Sequence, residues 1–546
     1  MDATKLAQLL YPNAMALSDL LHRFPERGLP AGAMVTRLGP SPTGFIHLGN
    51  LYGALLDEKL AHQSNGVVFL RIEDTDDKRR VEGAEEMLIY VLHHFGIDFD
   101  EGVMLDGQSG EYGPYRQSER RDIYHSVARH LVEQGYAYPS FVTEEELEAI
   151  REAQKEEKAQ IYGYFGKWAT DRELTYEAIE GKITQGIPWV LRLKSRQLPQ
   201  ETIEVPDAIR GTVKIQPNLL DIVLIKSDGL PTYHFAHVVD DHLMRTTHVI
   251  RGEEWLSTLP VHLEIFELLG WTPPHYCHTA HLMKMEGDVK RKLSKRKDPE
   301  LALTYYQELG YHPQAVKEYL YGLLQSNFEA WRAERPNAPL DDFSFDFKFM
   351  GHSGALFDLN KLDDISKEVL SRIDGKEFKR FLLDYAEDYA PEVYPILESH
   401  QEMLEPILTL GRDQAKPRKD FVNAKQILEF INFYFDETYQ IEDVLPDKID
   451  PPEAKAILED YLTTYDHSDT PEEWFHKIRE IAQSRGYALK GGDYKKNPEA
   501  YKGTVADVSA VIRIALTGRK NAPEIHAIQQ IIGETAMRKR LSEFMQ

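Results

Sequence analysis

Residues 34–76 read MVTRLGPSPTGFIHLGNLYGALLDEKLAHQSNGVVFLRIEDTD. Three textures follow one another in this stretch. Residues 34–38 suit a short strand. The run Gly39-Pro40-Ser41-Pro42-Thr43-Gly44 suits only a loop, because alternating prolines and glycines break helix and sheet alike. From His47 to about residue 64 the apolar side chains recur at helical spacing, with Leu48, Leu51, Leu55, Leu56 and Leu60 on one side. Residues 67–72 form the next apolar run, as in a strand buried on both faces. A further helix is expected over 81–95. The order strand, loop, helix, strand, helix predicts an α/β fold with a doubly wound, Rossmann-like parallel sheet.

Outward from this core, residues 1–31 read as two short helices ending at Gly28-Leu29-Pro30. Residues 119–220 interrupt the α/β rhythm, with helices over 119–134 and 144–159 and short strands around 188–193. The buried-strand pattern resumes at 221–226 and 247–251. The simplest reading is one α/β domain split by an insertion. Beyond about residue 300 only helical periodicity is visible, which predicts an all-α C-terminal region.

The chain has 546 residues, too many for one ordinary domain. No apolar run reaches the roughly 18 residues of a membrane span, and the opening MDATKLAQLLYPNAM lacks the basic start of a secretory signal. The single cysteine, Cys277, excludes an internal disulfide and a thiolate-rich zinc site, and suits a reducing cytoplasm. The formal net charge of -25 does not by itself exclude a nucleic-acid partner, because phosphate binding depends on where Lys and Arg cluster rather than on the total.

Four segments carry chemistry. The first is the Gly39–Gly49 turn into a helix near His47. A helix N-terminus offers unpaired N–H groups and the positive end of a dipole, a seat for phosphate. His47 can donate to a phosphate oxygen, and Gly49 leaves the helix face bare. The second is Lys292-Leu293-Ser294-Lys295-Arg296-Lys297, read as a flexible loop whose lysines can embrace a triphosphate. The third is Arg71-Ile72-Glu73-Asp74-Thr75-Asp76 at a strand end, where ligands of open α/β sheets bind. Glu73 can hold an ammonium group there, whereas Asp74 and Thr75 are equally explained as helix caps. The fourth is Ser227–Ala236 with Arg251-Gly252-Glu253-Glu254-Trp255. Arg251 suits bidentate grip of a carboxylate, and a structural pair with Glu253 or Glu254 explains it equally well. Each segment alone is a weak signal.

Together, in this order, PSPTG then HxG, RIEDTD, SDGxPTYHxA, RGEEW and KLSKR resemble the glutamyl-tRNA synthetases of the bacterial type, class I aminoacyl-tRNA synthetases. The likeness continues through GALFDLNKLDDIS and IALTGRKNAPEIHAIQQIIG and covers residues 33–540. It implies an ATP-dependent glutamate–tRNA ligase that forms glutamyl-adenylate and transfers glutamate to the terminal adenosine of its tRNA. It implies ATP at Pro40, Ser41, Thr43, Gly44, His47, Gly49 and Lys295, with His47, Lys292 and Lys295 catalytic. It implies glutamate at Arg37, Ser41, Glu73, Tyr233, Arg251 and Trp255, and Mg²⁺ accompanying ATP.

The division that follows is 1–32 as a helical extension outside the resemblance, 33–118 and 221–285 as the two catalytic halves, and 119–220 as an acceptor-end-binding insertion. Residues 286–372 would contact the stem, and 373–546 would read the anticodon. The partners implied are L-glutamate and the glutamate tRNA, with the glutamine tRNA as the alternative substrate. A cytoplasmic monomer without a membrane partner is expected.

Three departures from the family pattern are visible, one of them His237, four positions after Tyr233, to which no role is assigned. Asn50 stands where the HIGH signature ends in His, and Ser140 and Val142 stand where many members carry a CxC zinc pair, so no structural zinc is expected. Against a glutaminyl-tRNA synthetase, the PEPNG and FDDTN signatures are missing. Against the shorter relative that modifies a tRNA base, the long C-terminal region is present. Against a dead tRNA-binding paralogue, His47, Glu73, Arg251 and Lys295 are intact. Basic pieces at Lys416–Lys419, Lys495-Lys496 and Arg538-Lys539-Arg540 are candidates to meet phosphates.

Overall fold

The computed structural model describes residues 2–44, 46–76, 81–196 and 202–546. The chain forms two compact units, Met1–Tyr306 with Val316–Leu359, and Gln307–Ala315 with Asn360–Gln546. Among the described residues no helix is long and apolar enough to cross a membrane.

The first unit is built on parallel strands. Val35–Leu38 pairs with Val67–Leu70, which pairs with Glu101–Met104, all parallel. On the other side His248–Gly252 runs parallel to His275–Thr279. The Thr247 N–H donates to the Val35 carbonyl at 3.0 Å and the Val35 N–H to the Thr247 hydroxyl at 2.7 Å, which stitches the two groups together. Strand order therefore reverses between Val35–Leu38 and His248–Gly252. Such a switch point opens a crevice at the carboxyl ends of the strands. The 16-residue helix Leu48–Gln63 connects the first two strands and buries Leu48, Leu51, Leu55, Leu56 and Leu60.

Four expectations need correction. The strand Val223–Ile225 does not resume the parallel sheet; it pairs antiparallel with Val190–Leu193, which pairs with Ala137–Ser140. The hairpin of Ile203–Asp207 and Gly211–Ile215, expected inside the insertion, joins the edge of the parallel sheet through Tyr276 opposite Asp207. The region beyond residue 300 is not purely helical, because Ala355–Leu356 adds a two-residue strand to Leu282–Glu286. The lysine segment is less loose than expected. Lys292 ends the strand Val289–Lys292, and Asp298 ties the turn behind it by accepting from Ser294 N–H at 2.8 Å and from both Arg291 terminal nitrogens at 2.6 and 2.8 Å. Those bonds hold the Asp298 carboxyl well below the usual range.

The first helices are Ala3–Leu10 and Leu17–Arg23, as read from the sequence. Their segment packs onto later parts of the unit. Arg27 forks onto Glu101 at 2.8 and 3.0 Å and donates to the Met244 carbonyl at 3.1 Å, while Arg129 donates to the Ala14 carbonyl.

The second unit is helical. Gly375–Tyr389, Gln401–Thr409, Pro451–Thr464, Pro471–Ser484 and Val505–Thr517 surround one apolar core that includes Leu382, Leu404, Ile457, Ile478 and Ile512. Among the basic pieces, Arg540 is not available to a phosphate. It is buried, donating to the carbonyls of Phe433, Leu516 and Tyr434 and pairing with Asp436. Arg418 pairs with Asp420 and Lys419 with Glu368, whereas Lys495 and Lys496 are exposed.

Candidate active site

Two cavities open at the switch point and share Pro40, Ser41, Thr43, His47 and Asn50 in their walls. The smaller, about 350 Å³, is also lined by Gly44 and Lys295. The larger, about 1260 Å³, takes in Arg37, Gly49, Glu73, Tyr233, Arg251, Trp255 and Lys292. The segments that the sequence singled out thus meet at one place. The ring near the start of the chain and the lysines some 250 positions later share a field. Burial pushes the His47 imidazole below its ordinary pKa; Glu254 opposes this, and Lys292 and Lys295 add to it.

His47 caps the helix Leu48–Gln63, with its backbone extended. Its N–H donates to the Asn50 side-chain oxygen at 3.0 Å. The residue that departs from the HIGH pattern therefore has work to do: it satisfies an N–H that the helix start leaves open. A Cβ on Gly49 would lie 2.9 Å from His47 Nδ1. What Gly49 admits here is the imidazole itself, a refinement of the expected room for nucleotide. Gly39 plays the same part for Glu73, whose Oε1 would stand 2.5 Å from an added Cβ.

Beneath the larger cavity lies a network of buried charge. Arg71, fully buried, donates to Asp241 Oδ1 at 2.6 Å and to Glu73 Oε1 at 3.0 Å. Arg37 donates to the same Asp241 through Nε at 3.2 Å. Burial would raise the Asp241 carboxyl, but Arg37 and Arg71 outweigh it and hold it below the ordinary value. Glu73 is pushed up, by burial above all, with Arg71 and Arg37 opposing. Asp240 takes Arg120 at 2.7 Å, Gln117 at 2.9 Å and the Tyr124 hydroxyl at 2.8 Å. Arg71, Asp240 and Asp241 belong to the chemistry-bearing segments of the sequence, but nothing local assigns them a role. Adjacent aspartates in an apolar helix were the available signal, because unpaired charge is not kept in a core.

Arg251 stands at the end of the strand His248–Gly252, 8 % exposed. Glu253 and Glu254, its alternative partners, face elsewhere: Glu253 takes Arg210 at 2.6 Å, and Glu254 lies near His281 and Lys292 at 3.4 and 3.6 Å. Arg251 donates instead through Nε to His278 Nε2 at 3.0 Å and through Nη1 to the Tyr233 hydroxyl at 3.2 Å. Its Nη2 is buried and has no hydrogen-bond partner. A buried, unpaired guanidinium N–H costs stability unless something arrives to accept from it. Tyr233 stacks at a tilt on Trp255 with ring centroids 4.5 Å apart, and Trp255 is 37 % exposed at the rim. His237, given no role from the sequence, is buried between Tyr276 and His262, its Nδ1 3.1 Å from Asp241.

In the strand Ala137–Ser140, the Ser140 hydroxyl and the Phe141 N–H donate to Asp171 at 3.0 and 2.8 Å. Asp171 thereby ties down the stretch that begins at Ser140.

The family described as tRNA synthetases class I (E and Q), catalytic domain, matches residues 33–331. A glutamate–tRNA ligase of Acetivibrio thermocellus is 56% identical over 549 residues, 100% of both chains, so the likeness includes residues 1–32. One from Clostridium perfringens is 46% identical over 551 residues, again 100% of both chains. The crystal structure of a glutamate tRNA ligase from Elizabethkingia meningosepticum in complex with its amino acid is 28% identical. It matches with a TM-score of 0.74 and covers 94% of this chain and 99% of that one.

Proposed function

This chain belongs to the glutamate–tRNA ligases, class I aminoacyl-tRNA synthetases, and we propose the following division of labour among its residues. ATP lies where the two cavities meet, against the helix that begins after His47. Pro40, Ser41, Thr43, Gly44 and Gly49 shape its seat. His47, Lys292 and Lys295 face the phosphates. Mg²⁺ comes with the triphosphate as its counter-ion; among the described residues no group of three His, Cys, Asp or Glu side chains could hold a metal.

Glutamate occupies the larger cavity, with Arg251 and Arg37 reading its carboxylates, Glu73 taking the ammonium group, and Ser41, Tyr233 and Trp255 forming the wall. The α-carboxylate oxygen attacks the α-phosphorus, the bond to the bridging oxygen breaks, and diphosphate leaves. Lysine charge compensates the negative charge that develops. The terminal 2′-hydroxyl of tRNA then attacks the adenylate carbonyl, and AMP leaves. One observation carries this reading: Arg251, whose Nη2 is buried without an acceptor, lines a cavity that adjoins the one shared by His47 and Lys295.

The acceptor end is assigned to residues 119–220, the stem to 286–372 and the anticodon to 373–546. The tRNA is the glutamate tRNA, with the glutamine tRNA as the alternative substrate. The proposed working form is a monomer in the cytoplasm.

Lys295→Ala tests the phosphate assignment. It slows ATP–diphosphate exchange, with glutamate and tRNA present, by about 10²–10³-fold, the scale of one lost preorganised donor, and leaves tRNA affinity nearly unchanged. Exchange at the parent rate would remove Lys295 from the mechanism.

A further inference from the structure

Arg251 grips a carboxylate only if its free edge faces the cavity, and two of its three nitrogens are already committed. The partner of Nε is His278. The two residues are opposite each other in register on the parallel strands His248–Gly252 and His275–Thr279, so their side chains share a face. A guanidinium can only donate, so His278 Nε2, 3.0 Å from Arg251 Nε, must present its lone pair. The imidazole proton then belongs on Nδ1, which lies 2.6 Å from Asp207 Oδ2. Asp207 is itself fixed by N–H groups of Ile209, Arg210 and His278 at 3.0, 2.8 and 3.2 Å. Burial would raise Asp207, but the bond from His278 and these N–H groups hold its carboxyl below the usual value. Burial pushes His278 down, Asp207 opposes this, and Arg251 adds to it. The neutral, Nδ1-protonated ring is therefore the favoured form. Both side chains are buried, and neither Asp207 nor His278 lines the cavity.

We infer that Asp207 and His278 are positioning residues for glutamate recognition: they hold the Arg251 guanidinium in the one orientation that leaves Nη2 for the substrate carboxylate. Asp207 ends a strand of the edge hairpin, so this hairpin contributes to specificity as well as closing the sheet. The inference rests on Arg251 being the carboxylate reader. If His278 only fastened hairpin to sheet, its loss would lower stability without a selective change in glutamate binding.

The experiment measures KM for glutamate and for ATP, and the ratio of kcat/KM for glutamate over glutamine, in the full-length enzyme. His278→Phe keeps the ring's shape and removes the acceptor. It raises the glutamate KM about tenfold, the scale of one hydrogen bond to a charged group, lowers the glutamate preference, and moves the ATP KM less than twofold. His278→Gln restores an acceptor near the Nε2 position and recovers most of the loss. Asp207→Asn, whose amide can force the other tautomer, shows the same split between glutamate and ATP.

In an Arg251→Gln background, His278→Phe has no further effect on the glutamate KM, since coupled residues are not additive. Equal changes in both KM values, or the full His278→Phe effect without Arg251, would overturn the positioning role. Should His278→Phe fail to fold, the Asp207→Asn split decides in the same way. An unchanged glutamate KM in Arg251→Gln alone would instead overturn the pocket assignment on which the inference rests.

Discussion

The floor of the larger cavity and the core of the helical unit solve opposite problems. Beneath the cavity Arg37, Arg71, Arg120, Asp240 and Asp241 are all buried, and each is kept by partners drawn from distant parts of the chain. In the second unit the core is built from Leu, Ile, Val and aromatic side chains, with Arg540 a buried charge at its margin. Apolar packing tolerates local adjustment, since volume and pattern matter more than any one contact. A buried ion network does not, because removing one member strands the others without water. The first arrangement fixes directions, which recognition of a charged substrate needs. The second supplies stability.

Asp241→Ala probes that contrast most severely. It strands Arg37, leaves Arg71 with Glu73 and the more distant Asp240, and should cost about 3–5 kcal/mol, the scale for breaking a buried pair, along with glutamate binding. Urea unfolding and the glutamate KM read the two effects. A loss under about 1 kcal/mol would mean that the network relaxes like an apolar core and would erase the distinction.

Ile457→Ala is the counterpart in the helical unit, where Ile457 is fully buried. It should cost about 2–5 kcal/mol by transfer and cavity terms while leaving the glutamate KM unchanged. Trp474, buried and donating to the Tyr461 hydroxyl at 2.8 Å, gives that unit a fluorescence reporter. A changed glutamate KM would show that the core also sets directions at the site.

The smallest effect expected is on acid stability. In the first unit His242, stacked on Trp271 at 3.8 Å, is pushed down to a pKa of about 4 by burial and then by Arg245; His248 is pushed down to about 4 by burial and then by His275. An unfolded chain takes up these protons near pH 6.5, and the folded one does not until about pH 4. Their contribution is therefore fully present above about pH 6.5 and is lost as pH falls towards 4. Both rings are partly exposed, so the slope stays below the limit of about 1.4 kcal/mol per pH unit for each. Melting temperature against pH should be flatter in His242→Gln with His248→Gln than in the parent. An equally steep curve would place the acid sensitivity elsewhere.

What could be read from the sequence divides along the same line. The helices of the second unit were visible because a buried face repeats at helical spacing over a dozen residues or more. The strand ends at Arg37, Glu73 and Arg251 were visible because they sit inside short motifs whose order is itself a signal. The pairings were not. Arg71 meets Asp241 across 170 positions, and His278 meets Asp207 across 71. No local pattern marks an aspartate as the partner of one arginine and not another. The sheet of Val223–Ile225 is not legible because a three-residue apolar strand reads alike in either, and Ala355–Leu356 is too short to show any period. Arg540 is indistinguishable from its basic neighbours in the sequence, since a run of charge hides which member faces inward.

The opening helices carry a consequence for how the protein is made. Arg27 leaves the ribosome early, but the Met244 carbonyl to which it donates lies 217 residues later. At about 5–20 residues per second that interval is on the order of ten to forty seconds of synthesis. Glu101 follows Arg27 by only 74 residues and Arg129 follows Ala14 by 115, so the segment gains its partners in steps and the last of them closes only after that interval, a window in which a nascent-chain chaperone can hold what is still open.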